Sequence, residues 1–174
     1  RRQGINVSIA FGFDTDGDRA GACLYVDGKR VNLYGDYMGG LFALRLLKGD
    51  FPGATIVGDV RTSDAVRILV EKNGGKFIEV PAGYPFVKGP MHEKGAVLGI
   101  EKSGHVHPPA SGEDFLEDGL QAALNVLMAF KEDAQGDPKK LFGLFPEYHY
   151  VTPDARPMFS RRVIKETMRR VIAS

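Results

Sequence analysis

The sequence lacks the features of several common protein classes. Its 174 residues include one cysteine and no tryptophan, and no apolar run approaches the ~20 residues that a membrane span needs. Because the single thiol, Cys23, cannot close an internal disulfide, we expect a reduced, cytoplasmic protein. The 23 basic and 22 acidic side chains give a net charge of +1. No overall field is therefore available to hold nucleic acid or an anionic membrane, and we expect neither partner.

What the sequence has is an alternation of strand-like and helical segments. Runs rich in β-branched and apolar residues predict strands at 5–13, 21–26, 30–33, 55–60, 76–80 and 96–101. Helical spacing predicts helices that begin at Asp36 and at residues 62–64, with further helices at 115–130, 138–145 and 161–172. Between residues 84 and 94 the helical pattern is interrupted at Gly89-Pro90. This order predicts an α/β fold with a mixed, largely parallel sheet and flanking helices.

Three aspartates follow the first predicted strand at alternating positions. Asp14, Asp16 and Asp18 are separated by single residues, and Gly17 lets the turn fold their carboxylates towards one point. Carboxylate oxygens are the ligands that Mg²⁺ prefers, and three unpaired negative charges this close would repel one another. The pattern predicts a magnesium site, against the simpler interpretation of a solvated acidic turn.

Two known kinds of acidic loop can be compared with these residues. An EF-hand is excluded, because it needs glycine where Arg19 stands and a bidentate glutamate where Tyr25 stands. A haloacid-dehalogenase-type phosphatase, with Asp14 as nucleophile and Asp16 as acid and base, fits the strand and the residues D-T-D-G. It would have threonine or valine at position 18, where this chain has aspartate, and it stays the alternative hypothesis.

A second group of polar residues follows the strand predicted at 96–101. Glu101, Ser103 and His105 supply a carboxylate, a hydroxyl and an imidazole, at the strand end where open α/β sheets bind ligands. Such groups can hydrogen-bond the adjacent hydroxyls of a sugar, although any polar loop can contain them. His107 lies two residues beyond His105, but no further cysteine or histidine lies nearby in the sequence to complete a zinc site.

Both groups resemble motifs of one enzyme family. Residues 13–19 (FDTDGDR) resemble the metal-binding loop of the α-D-phosphohexomutases, the phosphomannomutase/phosphoglucomutase family, which is usually D-x-D-G-D-R. Residues 101–105 (EKSGH) resemble that family's sugar-binding loop, usually G-E-x-S-G-H. The separation of the two motifs, the strand end at 59–61 and Asp118-Gly119 match the order found in the family. The resemblance covers nearly the whole chain.

The resemblance implies a fold of the phosphoglucomutase central-domain type, and it implies a reaction. The family moves a phosphate between positions 1 and 6 of a hexose through a phosphoserine and a bisphosphorylated intermediate, with bound Mg²⁺. A hexose phosphate, such as glucose or mannose 1- or 6-phosphate, is the implied partner. Asp14, Asp16 and Asp18 would bind the metal, and Arg19 would act as the catalytic cation. The implied substrate-binding residues are Glu101, Ser103, His105, Arg61, Lys88 and Tyr84.

The same resemblance implies that the chain is part of a longer enzyme. Residues 1–26 match the end of a preceding domain with the metal loop, 27–150 a sugar-binding α/β domain, and 151–174 a linker and the first helix of a C-terminal domain. No serine lies in the family's T-A-S-H-N-P context. We therefore expect no turnover from this chain alone, and we expect the missing domains of the parent chain as partners. A non-catalytic sugar-phosphate-binding module is a further alternative.

Two positions depart from the family pattern near the sugar-binding residues. Ile100 stands where the family usually has glycine, and Tyr84 where relatives often have a polar or basic residue. Gly89-Pro90 also interrupts a helix that is continuous in relatives, which would redirect Lys88. The sequence therefore does not specify the hexose.

Overall fold

A computed structural model describes residues 8–109 and 116–146. Its first sheet is antiparallel and contains three strands in the order β1 (Ile9–Phe13), β2 (Ala20–Val26) and β3 (Lys29–Leu33). Asp27 and Gly28 join β2 to β3 with positive φ angles of 49° and 76°, the conformation of a two-residue hairpin turn. These two strands correspond to those predicted at 21–26 and 30–33.

The second sheet is mixed and has four strands in the order β5-β4-β6-β7. Its centre, β4 (Thr55–Asp59), pairs in parallel with β5 (Lys76–Val80) and with β6 (Leu98–Ile100). The short strand β7 (Val106–His107) closes the other edge antiparallel to β6. The prediction of a mixed, largely parallel sheet is confirmed, although β7 was not predicted because two residues carry no detectable period.

Helices cover both faces of this sheet. The helices are α1 (Gly35–Lys48), α2 (Asp64–Lys72), α3 (Tyr84–Lys94), α4 (Gly119–Met128) with a π-helical continuation at Ala129–Asp133, and α5 (Pro138–Phe142). Consecutive residues of β4 point to opposite faces: Ile56 joins the core formed with α1, α2 and α4, and Val57 joins the core formed with α3. Within residues 8–109 and 116–146, no helix is both long and apolar enough to cross a bilayer.

The predicted interruption of α3 at Gly89-Pro90 is wrong, because the helix runs continuously through Pro90. Val87 and Met91 lie one turn apart and are fully buried against β4 and β6. Burial of two large side chains outweighs the hydrogen bond that proline cannot donate to the carbonyl of Phe86. Phe86 lies on the exposed side of the helix, where that carbonyl can tilt towards water.

The sequence predicts that α1 begins at Asp36, but the helix begins at Gly35 with Tyr34 at the cap position. Asp36 lies buried in the first turn. Its Oδ2 accepts a hydrogen bond of 2.9 Å from the backbone N–H of Ser63, the residue that caps α2. Its Oδ1 accepts from the N–H of Tyr37 at 3.0 Å. Asp36 therefore joins the starts of two helices, a contact that local sequence cannot show.

The remaining predicted elements lie partly beyond the described residues. Helix α4 begins at Gly119, immediately after Asp118, whose side chain accepts from the N–H of Gln121 at 2.8 Å as a helix cap. The helix predicted at 161–172 and the C-terminal domain segment predicted at 151–174 lie outside the described residues. The proposed division at residues 26 and 150 stays a prediction.

Candidate functional site

The three aspartates lie in the turn that connects β1 to β2. Carboxylate oxygens of Asp14, Asp16 and Asp18 all lie within 4.8 Å of one another. Asp18 Oδ1 is buried and has no hydrogen-bond donor, as expected of an oxygen placed to meet a cation. Hard oxygen ligands from three carboxylates suit Mg²⁺, so the donor set present fits the predicted ion.

Arg19 holds one end of this loop. Its backbone N–H donates to Asp14 Oδ1 at 3.2 Å and its Nε donates to Asp14 Oδ2 at 2.6 Å. Burial raises the pKa of Asp14, but these hydrogen bonds from Arg19 outweigh it and lower that pKa to about 2. The guanidinium also lies 3.5 Å from Asp18 Oδ1. Asp14 is therefore ionised, and a cation already lies beside the loop.

The loop after β6 brings together the three predicted sugar-binding residues. Ser103 Oγ lies 3.2 Å from His105 Nδ1 and 3.4 Å from Glu101 Oε2. Backbone hydrogen bonds from Gly104 N to Glu101 O (3.1 Å) and from Glu101 N to His105 O (3.0 Å) close the turn. Gly104 has a φ of +103°, and a Cβ there would lie 3.1 Å from the carbonyl oxygen of Ala20. Only glycine fits this turn without strain.

The aspartate loop (residues 14–19) and the loop after β6 (residues 101–105), which is the predicted sugar-binding loop, are in direct contact. Arg19 and His105 form an isolated antiparallel bridge, and His105 Nε2 lies 3.4 Å from Asp18 Oδ2. Gly119, at the start of α4, donates its N–H to the carbonyl of Gly17 at 3.2 Å. A Cβ on Gly119 would lie 2.7 Å from the backbone of Arg19. Residues far apart in the sequence therefore form one site.

Arg61 reaches this site from the end of β4. Asp59 is fully buried and accepts from the backbone N–H of Arg61 at 2.7 Å and from its Nε at 3.1 Å. The guanidinium Nη2 then lies 3.5 Å from Glu101 Oε2. The structure therefore brings Arg61 and the buried Glu101 together, although they are far apart in the sequence.

Tyr84 and Lys88 approach the site from α3. The ring centroid of Tyr84 lies 5.6 Å from that of His107, and the Lys88 ammonium lies 4.3 Å from the centre of the Tyr84 ring, within cation–π range. Lys88 therefore contacts Tyr84, and Tyr84 in turn lies beside His107. The sequence predicted that a break at Gly89-Pro90 would redirect Lys88. Because α3 is continuous through Pro90, no break redirects this side chain.

Sequence reasoning gave no role to two residues of this site, His107 and Glu117. His107 is fully buried, and its Nε2 lies 3.5 Å from Glu101 Oε1 and 3.6 Å from Glu117 Oε1. A hydrogen bond from His107 is the main cause that lowers the pKa of Glu101; burial opposes it, and the charges of His105 and Arg61 add to it. In the sequence, the one indication that Glu117 belongs to the site is its position next to Asp118-Gly119, which matches the family.

Comparison with known proteins decides the family. The model of the phosphoglucomutase/phosphomannomutase alpha/beta/alpha domain III matches residues 34–148. The chain belongs to this family. It is 33% identical over 141 residues to a phosphomannomutase/phosphoglucomutase of Pseudomonas aeruginosa, covering 81% of this chain and 29% of that protein. It is 34% identical over 160 residues to a phosphoglucosamine mutase of Synechocystis sp., covering 90% of this chain and 32% of that protein.

Solved structures of relatives agree with this assignment. A phosphoglucomutase/phosphomannomutase family protein of Burkholderia thailandensis is 33% identical with a TM-score of 0.68, covering 82% of this chain and 30% of that one. The N-acetylphosphoglucosamine mutase of Aspergillus fumigatus, in complex with GlcNAc-6P and magnesium, shares the fold with a TM-score of 0.61 at 13% identity, covering 84% of this chain and 37% of that one. The chain spans about a third of the length of such relatives.

Proposed function

We propose that the protein to which this chain belongs is a phosphohexomutase, which interconverts hexose 1-phosphate and hexose 6-phosphate. In this proposal the chain supplies the magnesium-binding and sugar-binding parts. One observation carries it: the aspartate loop and the sugar-binding loop meet at Asp18 and His105, 3.4 Å apart. A phosphate held at the first loop and a sugar held at the second would therefore belong to one substrate.

The aspartate loop is assigned to the transferring phosphoryl group. Asp14, Asp16 and Asp18 would hold Mg²⁺, which when bound supplies charge neutralisation at that group. Arg19 presents its guanidinium at the same loop and is nearly half exposed, so it can contact a phosphate oxygen as well as Asp14. A guanidinium is suited to this because it donates in a planar fork.

The second loop is assigned to the sugar. Glu101 and Ser103 offer an ionised carboxylate and a hydroxyl for adjacent sugar hydroxyls, and Arg61 and His107 orient the carboxylate from opposite sides. The hydroxyl that accepts the phosphoryl group loses a proton, and His105, between the two loops, is the group placed to accept it. Tyr84 and Lys88 complete the sugar side.

Several parts of the proposal concern the parent protein. The phosphoserine donor lies outside these 174 residues, and the missing domains of the parent chain are its partners in forming the complete active site. The cytoplasmic location remains a prediction from the single cysteine. Membership of the mutase family leaves the haloacid-dehalogenase hypothesis without support, whereas a non-catalytic sugar-phosphate-binding module requires an experiment.

Calorimetric titration of the 174-residue chain with glucose 6-phosphate and mannose 6-phosphate in saturating Mg²⁺ tests the sugar assignment. Glu101→Gln is expected to weaken binding about 10- to 100-fold, because a hydrogen bond to a charged group is lost. Glu93→Gln, at an exposed position of α3, is the matched control and is expected to leave the affinity unchanged. Equal affinities of wild type and Glu101→Gln would contradict the assignment.

Turnover separates the three functional hypotheses. The chain alone is expected to show neither mutase turnover nor hydrolysis of p-nitrophenyl phosphate. Hydrolysis that is abolished by Asp14→Asn would support the phosphatase instead. In the parent protein, Asp18→Asn is expected to abolish mutase activity, and a parent protein without activity would support the non-catalytic module.

A further inference from the structure

Two carboxylates and two imidazoles meet beside the aspartate loop. We call Glu101, His105, His107 and Glu117 the glutamate–histidine cluster. His107 Nε2 lies 3.5 Å from Glu101 Oε1 and 3.6 Å from Glu117 Oε1. His105 Nδ1 lies 3.9 Å from each of the same two oxygens. Each carboxylate therefore directs one oxygen, Oε1, towards both rings.

These separations approach those of ligand atoms around a tetrahedral metal ion. Bonds of about 2.0–2.1 Å to zinc place neighbouring ligand atoms about 3.3–3.4 Å apart. The two separations from His107, 3.5 and 3.6 Å, lie close to this value, whereas the two from His105, 3.9 Å each, exceed it by about half an ångström; rotation of the side chains can close both gaps. Donor atoms of Glu101, His107 and Glu117 lie within 4.8 Å of one another as one set of three, and donor atoms of His105 and Glu117 form a second such set with Asp18. The cluster is therefore nearly arranged to bind an ion.

The donor types select the class of ion. The aspartate loop offers only hard oxygens, whereas this cluster pairs carboxylates with imidazole nitrogens, which suit zinc and related transition metals but not Mg²⁺. His107 is fully buried and Glu101 is 5% exposed. Two carboxylate oxygens facing each other in such an environment are stabilised by a cation between them.

The outward oxygen of Glu101 already has partners, which fixes the direction of the inward one. Glu101 Oε2 lies 3.5 Å from Arg61 Nη2 and 3.4 Å from Ser103 Oγ. This arrangement leaves Oε1 towards the two rings. Glu117 is about one-fifth exposed and His105 about one-quarter exposed, so solvent reaches the cluster at these two residues.

We propose that the glutamate–histidine cluster is a second metal site, which binds Zn²⁺ or a similar transition-metal ion and is distinct from the magnesium loop. Binding there engages Glu101 and His105, the residues assigned above to the sugar and the proton. Resting on the proposed function, we further infer that such an ion inhibits by competing with the sugar and not with Mg²⁺.

Cobalt is the probe that tests the site, because tetrahedral Co²⁺ shows intense visible absorption and octahedral Co²⁺ does not. The 174-residue chain is titrated with CoCl₂ in saturating Mg²⁺, and Zn²⁺ is then added to displace the cobalt. We expect one equivalent of tetrahedral Co²⁺. His107→Phe is expected to weaken Co²⁺ binding by at least about tenfold. Loss of a residue that only supports a metal ligand already costs about that much, and His107 would be a ligand itself.

Two further variants distinguish the possible origins of a signal. Glu117→Gln preserves shape at a partly exposed position and is expected to weaken binding even if His107→Phe fails to fold by circular dichroism. Asp16→Asn alters the magnesium loop and is expected to leave the cobalt spectrum unchanged. The proposal is overturned if Glu117→Gln binds Co²⁺ as wild type does, or if Asp16→Asn abolishes the spectrum.

The inhibitory role has a separate readout. Titration of glucose 6-phosphate with and without one equivalent of Zn²⁺, at constant Mg²⁺, is expected to give an apparent affinity at least tenfold weaker with zinc. If zinc leaves the affinity for glucose 6-phosphate unchanged, the inferred competition between zinc and sugar is wrong, whereas the proposed metal site still stands. A chain that binds no hexose phosphate in either condition, yet retains the cobalt spectrum, overturns the proposed function instead.

Discussion

At the scale of single residues, the site depends on buried groups that hold the exposed ones. Asp59 is fully buried and fixes Arg61 through three hydrogen bonds, and Arg61 in turn approaches Glu101. His107 holds the other oxygen of the same carboxylate. The orientation of the Glu101 carboxylate therefore depends on two fully buried residues, Asp59 and His107.

Asp59→Asn is expected to lower the free energy of unfolding by about 2 kcal/mol, because one buried acceptor for a charged donor is lost. It is also expected to weaken hexose phosphate binding, since Arg61 is released. Urea unfolding and calorimetric titration measure the two effects. Asp64→Asn, which breaks an exposed pair with Arg67, is the control and is expected to cost less than about 1 kcal/mol without affecting binding. Equal costs for the two variants would show that burial of Asp59 is unimportant.

Gly119→Ala tests the contact between α4 and the metal loop. Alanine favours a helix over glycine, but its Cβ would lie 2.7 Å from the backbone of Arg19. We expect a loss of about 1–3 kcal/mol of unfolding free energy from overpacking, together with weaker Mg²⁺ binding. Gly12→Ala is the control, because no atom lies within 4 Å of its added Cβ. If Gly119→Ala is as stable as wild type and binds Mg²⁺ equally, the close contact does not position the loop.

The site residues differ in how well the sequence alone could find them. Asp14, Asp16 and Asp18 share one loop, and their spacing is visible without a structure. Glu117 joins the site only because the N–H of Asp118 bonds to the carbonyl of Val106 (3.0 Å), which holds the start of α4 beside β7. The sequence predicted no zinc site at His107, because no cysteine or further histidine lies nearby in the chain. The residues that the structure places beside it are glutamates, one of them ten residues away.

At the scale of elements, the fold follows local patterns except where tertiary contacts outweigh them. The hairpin, the parallel strands and the start of α4 agree with turn, periodicity and capping rules. Pro90 breaks those rules and remains helical, because Val87 and Met91 are buried one turn apart. Asp36 has the chemistry of a helix cap but bonds across to α2. Both differences depend on neighbours that are distant in the sequence.

The role of Asp36 gives the fold a pH dependence. Burial raises the pKa of Asp36 above its ordinary value, against the hydrogen bonds from Ser63 and Tyr37 that lower it. A carboxyl with a raised pKa in the folded state stabilises the fold below its unfolded pKa, and that contribution is lost as the pH rises through the folded pKa.

Asp36→Asn removes this titration. The variant is therefore expected to be destabilised relative to wild type by more at pH 3.5 than at pH 7, as measured by urea unfolding at the two values. Glu93→Gln, on the exposed face of α3, controls for the general effect of losing a carboxylate. A penalty for Asp36→Asn that is constant with pH, or larger at pH 7, would show that burial does not dominate at Asp36.

At the scale of the whole molecule, an antiparallel hairpin unit and an α/β unit meet at the candidate site. The first sheet carries the aspartate loop and the second carries the predicted sugar-binding loop. Helix α4 contacts the first sheet at Gly17 and β2, and Asp118, which caps this helix, bonds to Val106 of the second sheet. The sequence predicted both loops. Their resemblance to motifs of one family also predicted that they act on the same substrate. Only the structure shows that they touch at Asp18 and His105, because a local sequence pattern does not indicate how far apart two sheets lie.

Nuclear magnetic resonance titration of the 174-residue chain with Mg²⁺ tests this contact most directly. We expect the signals of Gly17 and Asp18 to shift together with the Gly104 amide and the His105 ring, and we expect Asp16→Asn to remove both sets of shifts. Added glucose 6-phosphate is expected to bind more tightly with Mg²⁺ than without it. Shifts confined to residues 14–19, with Gly104 and His105 unchanged, would contradict a single site formed by the two loops.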